Sequence, residues 1–391
     1  MRVLFCKWNG VCEKGIESAF VRLGFQVDSC FYEFAGADYS SECLELLQAK
    51  LSANQYDFVF SHNFIPIVSK VCQIYRIKYI SWVMDSPAYH LYSSAIRNCC
   101  NYIFIFDRLL YQEFAEQNPG HIFYYPLATC MYEWEETKKK RHPNRNYDAD
   151  VSFLGSMYVQ ECHYDEVQGM PDYMRGYFDG IMEAQLQVYG YNFLEEVLSE
   201  EMAEEFADVA RWTQTEDYTH NYKNVVSQVY LGQKCTQIER LRIAEAIADA
   251  GMDFKLYTHS PLPRNLSKYN QGTAGYYEEM PFIFRDSKIN LNITSKSIRN
   301  GLPLRMFDIM GCGGFLLTNY QAELPEYFDV GKDLVVYESI PHLLEMITYY
   351  LEHDEERREI AENGYHKVKQ YFSFDVAIID ILRQSEIISE E

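Results

Sequence analysis

The strongest constraint on the fold is a regular alternation of short apolar runs and amphipathic stretches in the first third of the chain. The apolar runs predict strands over residues 3–6, 25–31, 57–61, 78–83, 102–106 and 122–125. Between them, apolar residues three or four apart predict helices over 13–23, 40–51, 65–75, 89–98 and 108–117. Strands that are apolar throughout and alternate with helices form parallel sheets covered on both faces. Residues 1–130 are therefore expected to form one α/β domain.

A second α/β pattern follows a polar stretch. Residues 131–149 include the basic run 138–141 and lack an apolar period, which indicates a solvated linker rather than a nucleic-acid patch. The predicted second domain covers 150–375, and a helical insertion rich in Tyr, Glu and Met interrupts it at about 160–230. Its remaining predicted strands are 149–154, 253–258, 288–293, 315–318 and 333–337, and its remaining predicted helices are 237–250, 281–287, 302–310, 324–328, 341–352 and 355–371. We expect two Rossmann-like domains that face a central cleft, the usual position of small ligands.

The charge of the chain limits its partners. Its 391 residues include 35 Lys and Arg against 57 Asp and Glu, which gives a formal net charge of −22. Such a surface repels nucleic-acid backbones and anionic lipid, so we expect no nucleic-acid partner. No window approaches 18 consecutive apolar residues, which predicts no integral membrane segment. The 11 cysteines lack metal-ligand spacing and the chain shows no signal peptide, so we expect reduced thiols, a cytoplasmic location and no metal site.

The most informative segment is INLNITSKSIRNGLPLRMFDIMGCGGFLLT, residues 289–318. A strand is expected to end in a polar loop, after which Gly301 and Leu302, followed by a proline, open a helix. The free amides and the dipole at the start of a helix attract an anion. Arg299 and Arg305 can add charge-assisted hydrogen bonds, so the segment is suited to bind a diphosphate.

Asp308 lies one turn further along the same predicted helix. Its carboxylate can accept hydrogen bonds from two vicinal hydroxyls, as a carboxylate does at a ribose. The alternative is a helix-surface ion pair with Arg305, three residues away. Three glycines follow and let the chain turn into the next strand, or are only a helix cap: Gly311, Gly313 and Gly314.

This segment resembles the donor-binding segment of group 1 glycosyltransferases of the GT-B fold, especially the subgroup related to spore maturation proteins. The shared pattern is G-L-P-L-R-x-F-D/E-I-x-G-x-G-G-F-L-L-T, and the similarity is strong over 276–372. The motifs WVMDSP at 82–87 and FIFD at 104–107 resemble the N-terminal domain that often accompanies it. The resemblance implies a bacterial, metal-independent glycosyltransferase of the hexosyltransferase type, which uses a UDP-sugar or another nucleotide diphosphate sugar and no cofactor. It also implies that the C-terminal helix, 376–391, packs back on the N-terminal domain.

The resemblance also implies roles for single residues on the donor side. Asp308 falls where the family has a glutamate that binds the nucleotide ribose. Asn300 falls where retaining members have a glutamate that contacts the sugar, and this departure leaves the stereochemical outcome open. Gly155 and Ser156 correspond to the family's phosphate-binding loop, although a small pair after a strand is common. Arg240 is a further candidate for the same diphosphate.

The first half supplies candidates for the acceptor side, because its loops follow the carboxyl ends of predicted strands. Asp85 follows a buried strand, resembles the Asp-x-Pro of the companion domain, and is our candidate base for activating an acceptor hydroxyl. The alternative is a helix cap. Asn9, Gly10, His62 and His90 occupy comparable strand-end or helix-start positions.

Several alternatives stay open at this stage. His259, after the strand 253–258, either contacts the donor or has no role. The Asp-Ala-Asp at 148–150 matches a metal-binding motif of another glycosyltransferase fold but precedes a strand, so we expect no metal there. A nucleotide-sugar 2-epimerase and a non-catalytic nucleotide-sugar-binding protein are the other functional classes. The insertion is expected to shape the acceptor site, and the acceptor itself, whether protein, polysaccharide or small molecule, is not specified by the sequence.

Overall fold

The computed structural model of this protein describes residues 1–32, 40–140, 142, 146–212, 218 and 221–389. Within them the chain forms two compact units. The N-terminal unit holds residues 1–130, Tyr218 and the end of the chain from Tyr371, and the C-terminal unit holds the rest. None of the helices in these residues is long and apolar enough to cross a lipid bilayer.

A six-stranded sheet forms the centre of the N-terminal unit, and all its neighbouring strands are parallel. Its strands are β1 (Arg2–Lys7), β2 (Gln26–Phe31), β3 (Phe58–His62), β4 (Tyr79–Val83), β5 (Asn101–Ile105) and β6 (Ile122–Tyr124). The predicted strands and the predicted parallel sheet are confirmed. The order β2-β1-β3-β4-β5-β6 changes direction at β1, which pairs with both β2 and β3. Ligands of open parallel sheets bind beyond the carboxyl ends of the strands at such a point.

Four helices cover this sheet: α1 (Glu13–Arg22), α2 (Ser41–Ala53), α3 (Pro66–Tyr75) and α4 (Arg108–Phe114). The predicted helix over 89–98 is wrong, because that stretch forms two 3-10 turns, Tyr89–Tyr92 and Ser94–Arg97. Ser93 separates them in an extended conformation, and its hydroxyl accepts a hydrogen bond from the amide of Ala95. Its apolar residues are buried as in a helix, which explains the misleading spacing.

The C-terminal unit contains a five-stranded parallel sheet of order β11-β10-β9-β7-β8. Its strands are β7 (Ala149–Leu154), β8 (Phe254–Tyr257), β9 (Ser287–Asn292), β10 (Leu316–Asn319) and β11 (Val335–Tyr337). Its helices are α5 (Met131–Lys138), α6 (Asp172–Gln185), α7 (Leu194–Val197), α8 (Glu200–Val209), α9 (Tyr222–Val225), α10 (Gly232–Asp249), α11 (Met280–Asp286), α12 (Leu304–Gly311), α13 (Leu324–Tyr327), α14 (Ile340–Glu352) and α15 (Asp354–Tyr371). The order changes direction at β7, which pairs with β8 and β9.

The first part of the predicted linker is a helix, α5, and this corrects the expectation of an unstructured segment. Met131 and Trp134 are buried, and Trp134 packs against the rings of Tyr276 and Tyr277. Lys138, from the basic run, lies over the ring of Tyr365. Two buried residues are too few to produce an apolar period, so the polar composition concealed the helix.

The insertion is helical, as predicted, and has a core of its own. Met174, Phe178, Ala203, Phe206 and Leu231 are fully buried in one apolar cluster. A π-helical turn, Val226–Leu231, leads from the insertion directly into α10. The insertion is therefore a folded attachment to the sheet rather than a loose loop.

The last helix, α16 (Phe374–Gln384), belongs to the N-terminal unit. The guanidinium of Arg22 on α1 donates to both carboxylate oxygens of Asp375, at 2.9 and 2.7 Å. The ring of Phe374 packs edge-to-face against that of Trp82, with centroids 5.8 Å apart. These contacts fix the end of the chain on the same unit as its beginning.

Candidate functional site

The loops at the carboxyl edge of the N-terminal sheet enclose a cavity of about 260 Å³. It is lined by Trp8, Asn63, Phe64, Ile65, Asp85, Pro87, Ala88, Tyr89, His90 and Leu91. These residues follow β1, β3 and β4, whose ends lie side by side in the sheet. Two of the predicted residues, Asp85 and His90, are thus brought together, and Trp8 and Asn63 were not predicted.

Asn63 holds the predicted base in place. Its side-chain amide donates a hydrogen bond to the carboxylate of Asp85, and its carbonyl oxygen accepts from the amide of Met84 at 2.8 Å. Asn63 has a φ of 61°, a conformation that asparagine tolerates better than most residues. The Asp85 side chain is exposed, and the following turn has Ala88 as its N-cap without a side-chain cap. The helix-cap interpretation of Asp85 is therefore wrong.

Asn9 and Gly10 form a tight turn after β1 rather than a wall of the cavity. The buried carboxylate of Glu13 accepts hydrogen bonds from the amides of Trp8 and Asn9, at 2.7 and 3.1 Å. Asn9 has a φ of 72°. A Cβ atom on Gly10 would lie 2.3 Å from Nδ1 of His62, so only glycine fits there. The two predicted residues position Trp8, which lines the cavity.

His62 is buried behind Trp8. The two rings are stacked, with centroids 5.3 Å apart and planes at 13°. Burial lowers the pKa of His62, although the charges of Asp85 and Glu13 oppose this shift. The imidazole is thus neutral near pH 7 and supports the indole. This corrects its prediction as an acceptor-side contact.

In the C-terminal unit, Arg240 joins the loops that follow β7 and β9. Its two terminal nitrogens donate to the carbonyl oxygens of Ser156 and Ile293, each at 2.6 Å. Burial lowers the pKa of the guanidinium. Both terminal nitrogens of the guanidinium bind backbone carbonyl oxygens. Arg240 therefore stabilises the two loops at the point where the strand order changes direction, and these nitrogens are not free for a diphosphate.

The loop Gly155-Ser156 lies beside His259, so the structure brings these predicted donor-side residues together. The Ser156 hydroxyl donates to Glu161 at 3.0 Å, and Nε2 of His259 lies 2.6 Å from the same carboxylate oxygen. Partial burial alone would raise the pKa of Glu161, but hydrogen bonds from its own amide, His259 and Ser156 lower it. The imidazole of His259 remains about half exposed, at 54%. It can therefore reach a ligand at this edge.

Helix α12 begins at Leu304, so the predicted start at 302 is wrong. Pro303 is the N-cap, with an extended ψ of 151°, and Gly301 and Leu302 are buried in the preceding loop. Asn300 is half-buried in the same loop. The helix ends at Gly311, and Gly313 takes a left-handed φ of 82°. The glycine run therefore forms the helix cap and turn.

Asp308 is fully buried, unlike a carboxylate that is open to a ribose. One oxygen accepts a hydrogen bond from the Tyr276 hydroxyl at 2.9 Å, and the other lies 3.2 Å from Nη1 of Arg305. The ion pair that the sequence left as an alternative is thus formed. In this structure Asp308 and Arg305 bind each other, which corrects the expectation that both are free for the donor.

The helical insertion contacts the loop between β9 and α12. Arg299 pairs with Glu195 at 3.3 Å, Asn192 donates to the carbonyl of Lys296 at 2.6 Å, and the Ser297 hydroxyl donates to the carbonyl of Gln228 at 2.7 Å. Arg299, predicted as a diphosphate ligand, is used in this contact. The insertion was expected to shape the acceptor site, but these bonds connect it to the predicted donor loop.

The Asp-Ala-Asp motif at 148–150 shows no metal geometry. Asp150 pairs with Lys288 at 2.7 Å. Within the described part of the chain, no three His, Cys, Asp or Glu side chains are grouped so that they could hold a metal ion.

Residues 239–383 match the family model described as Glycosyl transferase-like. The chain carries a glycosyl transferase-like domain. The matched stretch begins one residue before Arg240 and contains His259 and the loop and helix of the 289–318 segment. The predicted enzyme class, a glycosyltransferase, is confirmed. A comparison with curated protein sequences gives no match.

Solved structures share the fold over the whole length of this glycosyltransferase. HepE from Anabaena, in complex with UDP and glucose, is 10% identical with a TM-score of 0.55, and the alignment covers 99% of this chain and 100% of that one. Sucrose-phosphate synthase from Thermosynechococcus elongatus is 9% identical with a TM-score of 0.55, covering 100% of each chain. The T4 phage enzyme BGT, in complex with its UDP-glucose substrate, is 10% identical with a TM-score of 0.51, covering 98% of this chain and 99% of that one. The predicted GT-B fold is confirmed.

Proposed function

We propose that this glycosyltransferase takes its sugar from a nucleotide diphosphate sugar, specifically a UDP-sugar, and that the C-terminal unit binds this donor. The observation that carries the proposal is that the glycosyl transferase-like match covers Arg240, which joins the loops after β7 and β9, and covers the second of these two loops. These loops lie where the strand order changes direction, the position at which open parallel sheets bind nucleotides. The UDP and UDP-glucose complexes of HepE and BGT support the choice of nucleotide.

The transfer itself requires a base and an acceptor. We assign the base to Asp85 in the N-terminal unit, where Asn63 orients its exposed carboxylate. The acceptor oxygen forms a bond to the anomeric carbon, the bond from that carbon to the diphosphate breaks, and the acceptor proton passes to Asp85. The proposed enzyme is a bacterial, cytoplasmic protein of the spore maturation-related subgroup that needs no metal.

Donor binding is tested by thermal shift with UDP-, GDP-, dTDP- and CDP-sugars. A ligand that binds only the folded state stabilises it by about 2.7 kcal/mol at a hundredfold excess over its Kd. We expect one UDP-sugar to raise the melting temperature. His259→Ala should weaken its binding about tenfold, the equivalent of one hydrogen bond to a charged group.

A matched control is available for this variant. His163 is equally exposed, at 55%, and also contacts a glutamate, Glu166, but it lies in the insertion. His163→Ala should bind the donor like the wild type. If no nucleotide sugar raises the melting temperature of the wild type, the donor proposal is wrong. If the enzyme, given the donor alone and no acceptor, inverts the configuration at C2 of the donor sugar, the protein is an epimerase.

The insertion contact gives a separate prediction for the donor. Glu195→Gln removes the charge that pairs with Arg299 and loosens the loop before α12. A partly exposed ion pair contributes up to about 1 kcal/mol, so we expect the KM for the donor to rise up to about fivefold while the KM for the acceptor stays unchanged. Steady-state kinetics measures both constants. Glu196→Gln, next along α7, is the control, because the described hydrogen bonds of the Glu196 side chain include only the one from Tyr191. Equal effects of the two variants would rule out this role.

A further inference from the structure

The lining of the cavity in the N-terminal unit combines aromatic and apolar side chains with a few polar groups. Trp8 and Tyr89 are aromatic, Phe64 and Leu91 are apolar, and Asp85 and His90 are polar. Binding sites for small molecules have this composition, with a mainly apolar lining and a few polar groups that fix orientation.

Trp8 is held rigidly at this cavity. Its indole N–H donates to the carbonyl of His62 at 3.2 Å, its backbone amide donates to Glu13 at 2.7 Å, and the His62 ring is stacked on the indole. Two restraints on the side chain and one on its backbone mean that little conformational entropy is lost when a ligand packs on the indole. The ring of His62 leaves no room for a side chain on Gly10. The turn at Gly10, the imidazole of His62 and the indole of Trp8 therefore pack closely on one another.

The charges at the cavity select against an anion. Asp85 lines it, the buried carboxylate of Glu13 accepts a hydrogen bond from the backbone amide of Trp8, and the described lining residues include neither Lys nor Arg. A phosphate or a carboxylate would be repelled there. Hydroxyl groups both donate and accept hydrogen bonds. They can therefore donate to the carboxylate of Asp85 and bind the imidazole of His90.

We propose that this cavity is an acceptor subsite for a neutral saccharide ring, which packs on Trp8 and presents a hydroxyl to Asp85. The proposal rests on the proposed function, since it names the acceptor class of the same enzyme. An aromatic face suits the C–H surface of a pyranose, and a cavity of about 260 Å³ limits the bound part to a short end of a glycan.

The test is saturation-transfer NMR with neutral methyl hexosides, glucuronic acid, glucose 6-phosphate and glucosamine. The wild type, Trp8→Leu, Asp85→Asn and Glu116→Gln are compared, with UDP thermal shift measured on each. Glu116 is an exposed carboxylate in the turn after α4 and is the charge-matched control. We expect at least one neutral hexoside to bind, with at least tenfold loss in Trp8→Leu and Asp85→Asn and no change in Glu116→Gln.

The outcomes separate this inference from the donor proposal. Neutral hexosides that fail to bind while UDP still raises the melting temperature overturn the saccharide subsite and leave the transferase intact. Preferred binding of glucosamine or of an anionic sugar also overturns it. Absence of any UDP effect overturns the proposed function itself. If Trp8→Leu does not fold, Asp85→Asn decides, because its side chain is exposed. A neutral saccharide ring can belong to a free oligosaccharide or to a glycan attached to a peptide. Transfer from UDP-glucose to free oligosaccharides and to glycopeptides then shows which of the two is the acceptor.

Discussion

Asp308→Ala is expected to lower the free energy of unfolding of the C-terminal unit by about 3 kcal/mol, since removing one partner of a buried ion pair typically costs about 3–5 kcal/mol. The lower end applies because Arg305 keeps 27% of its side chain exposed and regains water, whereas Asp308 has none exposed. The loss includes the hydrogen bond from Tyr276. Urea unfolding followed by tryptophan fluorescence measures the change, and Trp134 reports on this region because it packs on Tyr276.

Two further variants separate the contacts of Asp308. Tyr276→Phe removes only the hydroxyl and should cost about 1.5 kcal/mol, a typical value for a hydrogen bond to a charged group. Asp249→Ala changes an exposed carboxylate at the end of α10 and should have little effect. An Asp308→Ala protein as stable as the wild type would contradict this prediction and show that the contacts of Asp308 add nothing to the stability of the unit.

The sheets were predictable from the sequence because most of their strands are short, mainly apolar runs. All five residues of β3, β4 and β5 are buried, and most of them are apolar. Helix boundaries were less predictable where few residues are buried. The polar helix α5 has two buried side chains, and the 3-10 turns after β4 bury the same apolar spacing as a helix.

The sequence predicted where in the fold the candidate site lies, but not which side chains bind each other there. Strand ends indicated Asp85 and His90, because ligands bind beyond the carboxyl ends of parallel strands. Trp8 and Asn63 follow strand ends too, but nothing in the sequence shows that Asn63 turns its amide toward Asp85. Similarly, the sequence predicted Arg240 as a ligand of the diphosphate. In the structure its two terminal nitrogens donate to two backbone carbonyl oxygens instead. Pairing between distant residues depends on tertiary packing, which one sequence does not display.

Asp85→Asn is expected to lower kcat for sugar transfer by about 10²–10⁴-fold, the range typical of removing a general base. The change is nearly isosteric, and the asparagine oxygen can still accept the hydrogen bond from Asn63. The loop should therefore keep its shape while the group loses its capacity to take a proton. Single-turnover transfer with a saturating donor measures the effect once an acceptor has been identified.

The control readouts for this variant come from the two units separately. Asp85 belongs to the N-terminal unit, so Asp85→Asn should leave UDP binding and the melting temperature unchanged. Asn63→Ala removes the group that orients Asp85 and should lower kcat less than Asp85→Asn, because the carboxylate remains but is less well positioned. Full activity in Asp85→Asn would exclude Asp85 as the base. The aspartate would then be left with its contact to Asn63, and His90, on the same cavity, would be the next side chain to replace.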